Sequence, residues 1–254
     1  MNATVTRLTA LGRAELTLLG RNKNNLFIAL LMPLLMIFVL RSSVSQMGTD
    51  ELPRGVAGAT LVGGTGMVLI LVVYMGLVSA YVARREELVL KRLRTGEASD
   101  PEILAGAALP SAAIALAQCA VLAVGGVTVL DLPAPERPEL LALGLLAGIP
   151  LLAVLAAATT VITRNVESAG LTTLPFFLVS ALGSGMMVPR EVLPEVVADV
   201  CELLPLSGVM EFVRAGWFGA ESTGDLVTAA VTTLAWGMIT VFAVQRWFRW
   251  EPRR

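Results

Sequence analysis

Residues Arg84 to Asp100 read RREELVLKRLRTGEASD, a charged stretch set between two long apolar runs. It holds five of the chain's 19 lysines and arginines. An apolar run of about twenty residues crosses a bilayer, so this stretch is a loop at the mouth of two membrane spans. Short loops rich in Lys and Arg stay on the cytoplasmic side, which orients it inward. Its pattern also predicts a helix. Glu87 precedes Lys91 by four residues, the favourable order for a helical ion pair, and Leu90 and Leu93 share a face with Val89. Thr95-Gly96 predicts a stop. Asp100-Pro101-Glu102 predicts the next start, with Asp100 as N-cap, proline at the first helical position and a second acid near the positive dipole end. Such a helix needs a partner for its leucines. The plainer alternative is a solvated loop that only fixes topology.

Composition places the whole chain in the membrane. Hydrophobic residues make up 56% of its 254 residues and charged ones 15%, against about 25% charged in a soluble domain. No segment is polar and long enough to fold as a separate soluble domain, so 1–254 reads as one transmembrane domain. A net charge of -1 gives no basic surface for nucleic acid. Seventeen arginines against two lysines suit a GC-rich bacterial genome, and the expected location is a bacterial inner (plasma) membrane. Cys119 and Cys201 lie far apart in unlike surroundings and form neither a disulfide framework nor a metal motif. The first apolar run starts near Leu26 with no small-residue cleavage site after it, so no cleavable signal peptide is expected.

Working outward, residues 6–24 predict an amphipathic interfacial helix. Leu8, Leu11, Leu16, Leu18 and Leu19 gather on one side, with arginines such as Arg7, Arg13 and Arg21 for the phosphate layer. Glu15 falls on the apolar side. The first turns of a longer first span are the alternative. Spans are expected over about 26–41, 56–83, 101–130, 139–163, 168–188 and 226–245, joined on the inner side by the 84–100 loop. Pro33 sits mid-way along the first span. Gly144 and Gly148 form a G-x-x-x-G arrangement, read as close helix packing. Trp247 and Trp250 read as interfacial anchors. Residues 189–225 are too long for a turn and too apolar for a free loop. They predict one or two outer helices at or dipping into the surface, broken at Pro205. Glu191, Glu195, Asp199 and Glu202 form an acidic stripe there, opposite Val192, Val196, Val200, Leu203 and Leu204. A metal could be imagined in those acids, but a solvated helix face is the plainer reading, and no metal site is expected. With both termini inside, 14 of the 19 cationic residues lie on the inner side and five outside, in keeping with the positive-inside rule. The fold class is therefore all-α and polytopic, with six spans.

Much chemistry is excluded. The chain has no histidine, so no Ser-His-Asp triad, Cys-His pair or H-E-x-x-H site exists. Lys23 is followed by Asn and Lys91 by Arg, so no P-loop binds ATP. The span interiors carry no Asp, Glu, Lys or Arg, which argues against a proton-driven carrier, though broken helices could still bind sodium. No enzyme is expected. If the protein moves something, the energy enters through the 84–96 helix.

At this point a family resemblance becomes specific. Arg84 to Gly96 is similar to the R-E-x-G-x-L-K-R-L-R-x-T-P segment that follows the second span in ABC-2-type permease subunits of ATP-binding cassette transporters. Its glycine is replaced here by Leu88 or its neighbour, and its Thr-Pro by Thr95-Gly96. The interfacial helix leading into a span with central Pro33 resembles the same family. So does S-G-M-M-V-P…L-P…L-P from Ser184 to Pro205, followed by Arg214. The chain is similar to the small drug- and antibiotic-resistance permeases of the daunorubicin-exporter kind within that family. The resemblance implies a homodimer of permeases above two separate ATPase subunits, which bind the ATP and Mg; this chain itself would bind no cofactor. The interfacial helix and the 84–96 segment would contact the ATPase, with Arg85, Glu86, Glu87, Leu90, Lys91, Arg92, Leu93 and Arg94 as coupling residues. A hydrophobic or amphiphilic substrate is expected to pass between the two permeases, along the second and fifth spans. Met67, Tyr74, Phe176, Phe177 and Met186 are the lining candidates, since methionine and aromatic side chains adapt to varied apolar ligands; packing within one bundle is the alternative for each. An ion-coupled secondary carrier and a non-transporting subunit or sensor are the rival classes.

Overall fold

A computed structural model describes residues 54–96, 99–186, 194–220 and 222–251, with isolated helical positions at Thr17, Leu31, Leu35, Phe38 and Val39. The interfacial helix expected over 6–24, with Arg7, Arg13, Glu15 and Arg21, and the first span over 26–41 otherwise lie outside the described residues. So do Glu191 and Val192 of the predicted outer stripe.

The described elements are all helical. A continuous apolar rod comprises α1 (Arg54–Val68), a π-helical segment (Leu69–Met75) and α2 (Gly76–Glu86). A short α3 (Val89–Arg94) follows, then α4 (Asp100–Thr128), α5 (Pro138–Thr159) and α6 (Val166–Gly183). Two further short helices, α7 (Glu195–Glu202) and α8 (Ser207–Phe218), precede α9 (Thr223–Trp247). Among the described residues, five helices are long and apolar enough to cross a membrane: Gly58–Glu86, Asp100–Thr128, Pro138–Thr159, Val166–Gly183 and Thr223–Trp247. Their hydroxyls rarely go unserved in an apolar setting. Thr65, Thr159, Thr173, Thr233 and Thr240 each donate to the carbonyl four residues earlier, which satisfies the group without a partner helix.

α5 is the hub, packed against the π segment, α8 and α9. Small residues make this possible. A Cβ on Gly144 would lie 3.0 Å from Phe212 Cβ, and one on Gly148 would lie 2.6 Å from a Val209 methyl. The G-x-x-x-G surface is thus filled by α8 of the same chain. The order of these contacts fixes the path of α8. Gly216 meets Leu141, Val213 meets Gly144, and Val209 meets Gly148, so α8 runs antiparallel to α5 along its first half. Ten residues of helix rise about 15 Å, so the N-terminus of α8 lies roughly mid-bundle and its C-terminus returns to the end where α5 begins. There the Arg137 N–H donates to Gly216 O at 3.0 Å. α9 holds the deep end, with Trp236 Nε1 donating to Leu203 O at 2.7 Å.

The described part of this region, residues 194–220, therefore packs into the bundle, with its break at residues 203–206 around Pro205. α6 ends early to make room. Its helix stops at Gly183, and Met186 then lies in a notch where a Cβ on Gly66 would come within 2.8 Å of the methionine sulfur. Val196 and Val200 of α7 and Leu203 just after it are exposed, as are Asp199 and Glu202. Among the described residues, no group of three or more metal-ligating side chains comes together.

Candidate functional site at the charged end of the bundle

The 84–96 segment, expected as one helix, is two. α2 ends at Glu86, and Leu88 adopts φ 60, ψ 14 before α3 begins. A left-handed residue is the common way to end a helix, and glycine is its usual occupant. Here Leu88 occupies that left-handed position. The break also removes the expected Glu87–Lys91 pair, because the two residues now belong to different elements. Lys91 Nζ instead lies 2.7 Å from Glu251 Oε1.

Arg85 is the largest fully buried side chain among the described residues, 1% exposed. It continues the buried stripe Leu77, Val78, Tyr81 and Val82 at helical spacing, so it turns inward with them. Its Nη1 donates to Thr160 O at 2.8 Å, and its Nη2 to Thr163 O at 2.8 Å and Arg164 O at 3.2 Å. These carbonyls close α5 and begin its connection to α6. The last carbonyls of a helix have no intrahelical donor, and a cation there also complements the negative dipole end.

The next residue does the converse. Glu86 Oε1 accepts from the Val166 N–H at 3.3 Å, at the amide end of α6. Asn165 caps that same end, accepting from Ser168 N at 2.9 Å. Adjacent residues of opposite charge on α2 thus hold the two opposite dipole ends that meet at residues 160–166.

Leu90 is fully buried within this chain, while Val89 and Leu93 are half-buried. The apolar face expected to await a partner is therefore largely taken up by the bundle itself, because α3 folds back across it. The surface left by α3 is polar: Glu86, Glu87, Lys91, Arg92 and Arg94 are exposed. Arg94 Nε donates to Asp100 Oδ1 at 3.0 Å, and its guanidinium lies 4.8 Å from the Trp250 ring centroid. Trp250 in turn meets Phe248 edge-on at 4.9 Å. The segment after α9 is thereby laid against α3, a contact between residues some 150 apart that nothing local in the sequence signals. Asp100, expected as an N-cap, pairs with Arg94 instead. Ser99 is the N-cap of α4, and its N–H donates to Glu102 at 2.8 Å in a capping box.

The expected path residues are distributed inside one bundle. Tyr74 is buried in the π segment, its hydroxyl 3.0 Å from Thr159 Oγ1 and its ring 4.5 Å from that of Phe176. Met67, Phe176 and Phe177 are partly buried against the core, and Met186 occupies the Gly66 notch. At the opposite end of the bundle, a cavity of about 440 Å³ lies between α8 and α9, lined by Glu211, Arg214 and Asp225 among others. Glu211 and Arg214, three residues apart on α8, pair along its wall at 3.3 Å.

Among the described residues, five helices long and apolar enough to cross a membrane define a polytopic membrane protein. The sequence model of the ABC-2 type transporter family matches residues 6–218. The chain belongs to that family and is a non-catalytic membrane subunit of an ABC transporter. Permeases of this family generally work with an ABC ATPase. No curated protein matches the chain.

Proposed function

We propose that the chain is the permease of an ATP-driven exporter of the daunorubicin-exporter kind, acting in a bacterial inner membrane on a hydrophobic or amphiphilic substrate. Two copies pair above two ATPase subunits, which carry all the ATP and Mg chemistry, and both termini face the cytoplasm. The charge distribution supports this orientation, with 14 of 19 cations on the inner side. The exposed apolar side chains of α6, Leu171, Leu174, Leu178 and Leu182, support pairing along this helix, with the path beside it. A proton-driven carrier would need carboxylates midway along its spans, and the five described spans carry their Asp, Glu and Arg residues only in the first or last turn.

The observation that carries the reading is α3. It is a short helix with an exposed row of cations, and its base is bonded into the bundle through Arg85, Glu86 and Leu90. A free topology loop needs no such anchorage, whereas a lever does. Arg92, exposed on α3, is the residue to reverse. Co-expression with the cognate ATPase should give a complex that survives purification, and Arg92→Glu should weaken it at least tenfold, which is about 1.4 kcal/mol. The loss should shrink with added salt, since exposed charges are screened. Parent-level copurification and ATP-dependent export by Arg92→Glu would return α3 to a topology anchor.

A further inference from the structure

The coupling reading says where force enters; the geometry of Arg85 and Glu86 says where it goes next. We propose that these two residues are positioning residues that make the 160–166 connection move with α3, so that displacement of α3 reaches α5 and α6 together. The inference rests on the coupling role of α3 and adds the joint beneath it.

Three features of that joint carry the argument. The first is polarity: Arg85 meets the carbonyl end of α5 and Glu86 the amide end of α6, so each charge faces the dipole end it favours. The second is rigidity. Arg85 reaches three carbonyls through a planar, fixed fork, and such a fork is pre-organised in a way a lysine ammonium is not. The third is asymmetry. The Arg85 contacts include two 2.8 Å bonds to the buried residues Thr160 and Thr163, whereas Glu86 makes one exposed bond of 3.3 Å. Both helices are tied to the joint, α5 more firmly than α6.

Spin labels read this directly. With Cys119 and Cys201 replaced by alanine, cysteines are placed at Thr95 beside α3, at Ile162 in the connection and at Leu171 on α6; all three are exposed. In nanodiscs the parent should show one narrow Thr95–Ile162 distance distribution. It should stay narrow when the ATPase complex is trapped with ATP and vanadate. Arg85→Gln should broaden that distribution at least twofold, and Arg85→Lys should restore it only in part. ATP hydrolysis by the complex should persist while the Thr95–Ile162 distribution stays broad in the trapped state.

A second variant does not depend on a buried arginine. Val166→Pro removes the N–H that Glu86 accepts, at the first helical position, where proline is tolerated. It follows Asn165, which is already extended at φ -141, ψ 171. It should leave Thr95–Ile162 unchanged and broaden Thr95–Leu171. Parental distributions in Arg85→Gln would overturn the joint, as would a parental Thr95–Leu171 distribution in Val166→Pro if Arg85→Gln does not fold. Because the widths are also measured without nucleotide or ATPase, they judge the joint alone. A parent permease that holds no ATPase would instead refute the coupling reading.

Discussion

Arg85→Met tests how much of the fold rests on one guanidinium. The substitution keeps an unbranched apolar stem and removes every donor from Thr160 O, Thr163 O and Arg164 O. Hydrogen bonds to charged groups contribute about 1.5–3 kcal/mol each, and the two 2.8 Å bonds end on buried residues. Removing a buried cation also recovers its desolvation cost, which returns part of that sum. A net loss of about 3 kcal/mol remains. For a chain of this size each kcal/mol moves the midpoint by about 2–4 °C, so Tm should fall by about 6–12 °C. The buried thiol of Cys119 supplies the assay. In a Cys201→Ala background, a fluorogenic maleimide reacts with Cys119 only as the bundle opens on heating in detergent. Arg85→Lys should recover about half of the loss, since one ammonium serves fewer of the carbonyls. A change in Tm below about 2 °C for Arg85→Met would show that water or the backbone replaces the guanidinium, and the cap argument would be wrong.

Other outcomes follow from the same end of the molecule. Leu90→Ala should cost about 2–4 kcal/mol by the same thermal assay and Leu93→Ala clearly less, because Leu90 is fully buried and Leu93 only half so; equal losses would refute the placement of α3. Leu88→Gly should be nearly neutral, relief of the left-handed backbone offsetting the lost side chain, whereas Leu88→Val should lower Tm, since a β-branched residue at φ 60 is an outlier. Gly216→Val should be severe, because a Cβ there would stand 2.5 Å from the Leu141 nitrogen; a stable, functional variant would mean that α8 does not lie along α5. A cysteine at Thr223 should react with an impermeant thiol reagent in intact cells and one at Thr95 should not, and the reverse pattern would invert the proposed orientation.

The membrane character and the position of the charged segment were legible because both depend on local composition. The break at residues 203–206 was legible for the same reason, through Pro205. The burial of Arg85 could have been read from its place four residues after Tyr81 on an apolar stripe. It was hidden because a cation at the end of a span reads first as a topology signal. Two details failed for a subtler reason. The Glu87–Lys91 pair assumed an unbroken helix, and one left-handed residue at Leu88 shifted every later side chain onto a new axis. Asp100 and Ser99 both suit an N-cap, and Glu102 decides between them only once its reach to the Ser99 N–H is known. Other partners lay beyond any local pattern. Gly144 and Gly148 find theirs in α8, and Lys91 and Arg94 find theirs in Glu251 and Trp250. Each of these joins segments that only the tertiary fold brings together.

The contacts around α3 form a graded series, and that grading bears on how a lever could work without unfolding. The Lys91–Glu251 pair is more than half exposed on both sides, and such pairs contribute about 0–1 kcal/mol. The Arg94–Trp250 contact adds about 0.5–1 kcal/mol at an exposed site. A partner that competes for Lys91 or Arg94 therefore gives up little by parting these two surface contacts, while Phe248 keeps its packing against the core. The single exposed Glu86–Val166 bond is the next to yield. The Arg85 cluster, worth about 3 kcal/mol by the reasoning above, and the burial of Leu90 yield last. A force on α3 thus meets soft contacts toward solvent and stiff ones toward α5. The left-handed turn at Leu88 persists between them because both flanking helices are fixed independently, α2 through Arg85 and α3 through Leu90. Strain at one residue survives where its surroundings over-determine it, and here those surroundings are the two anchors that a lever requires.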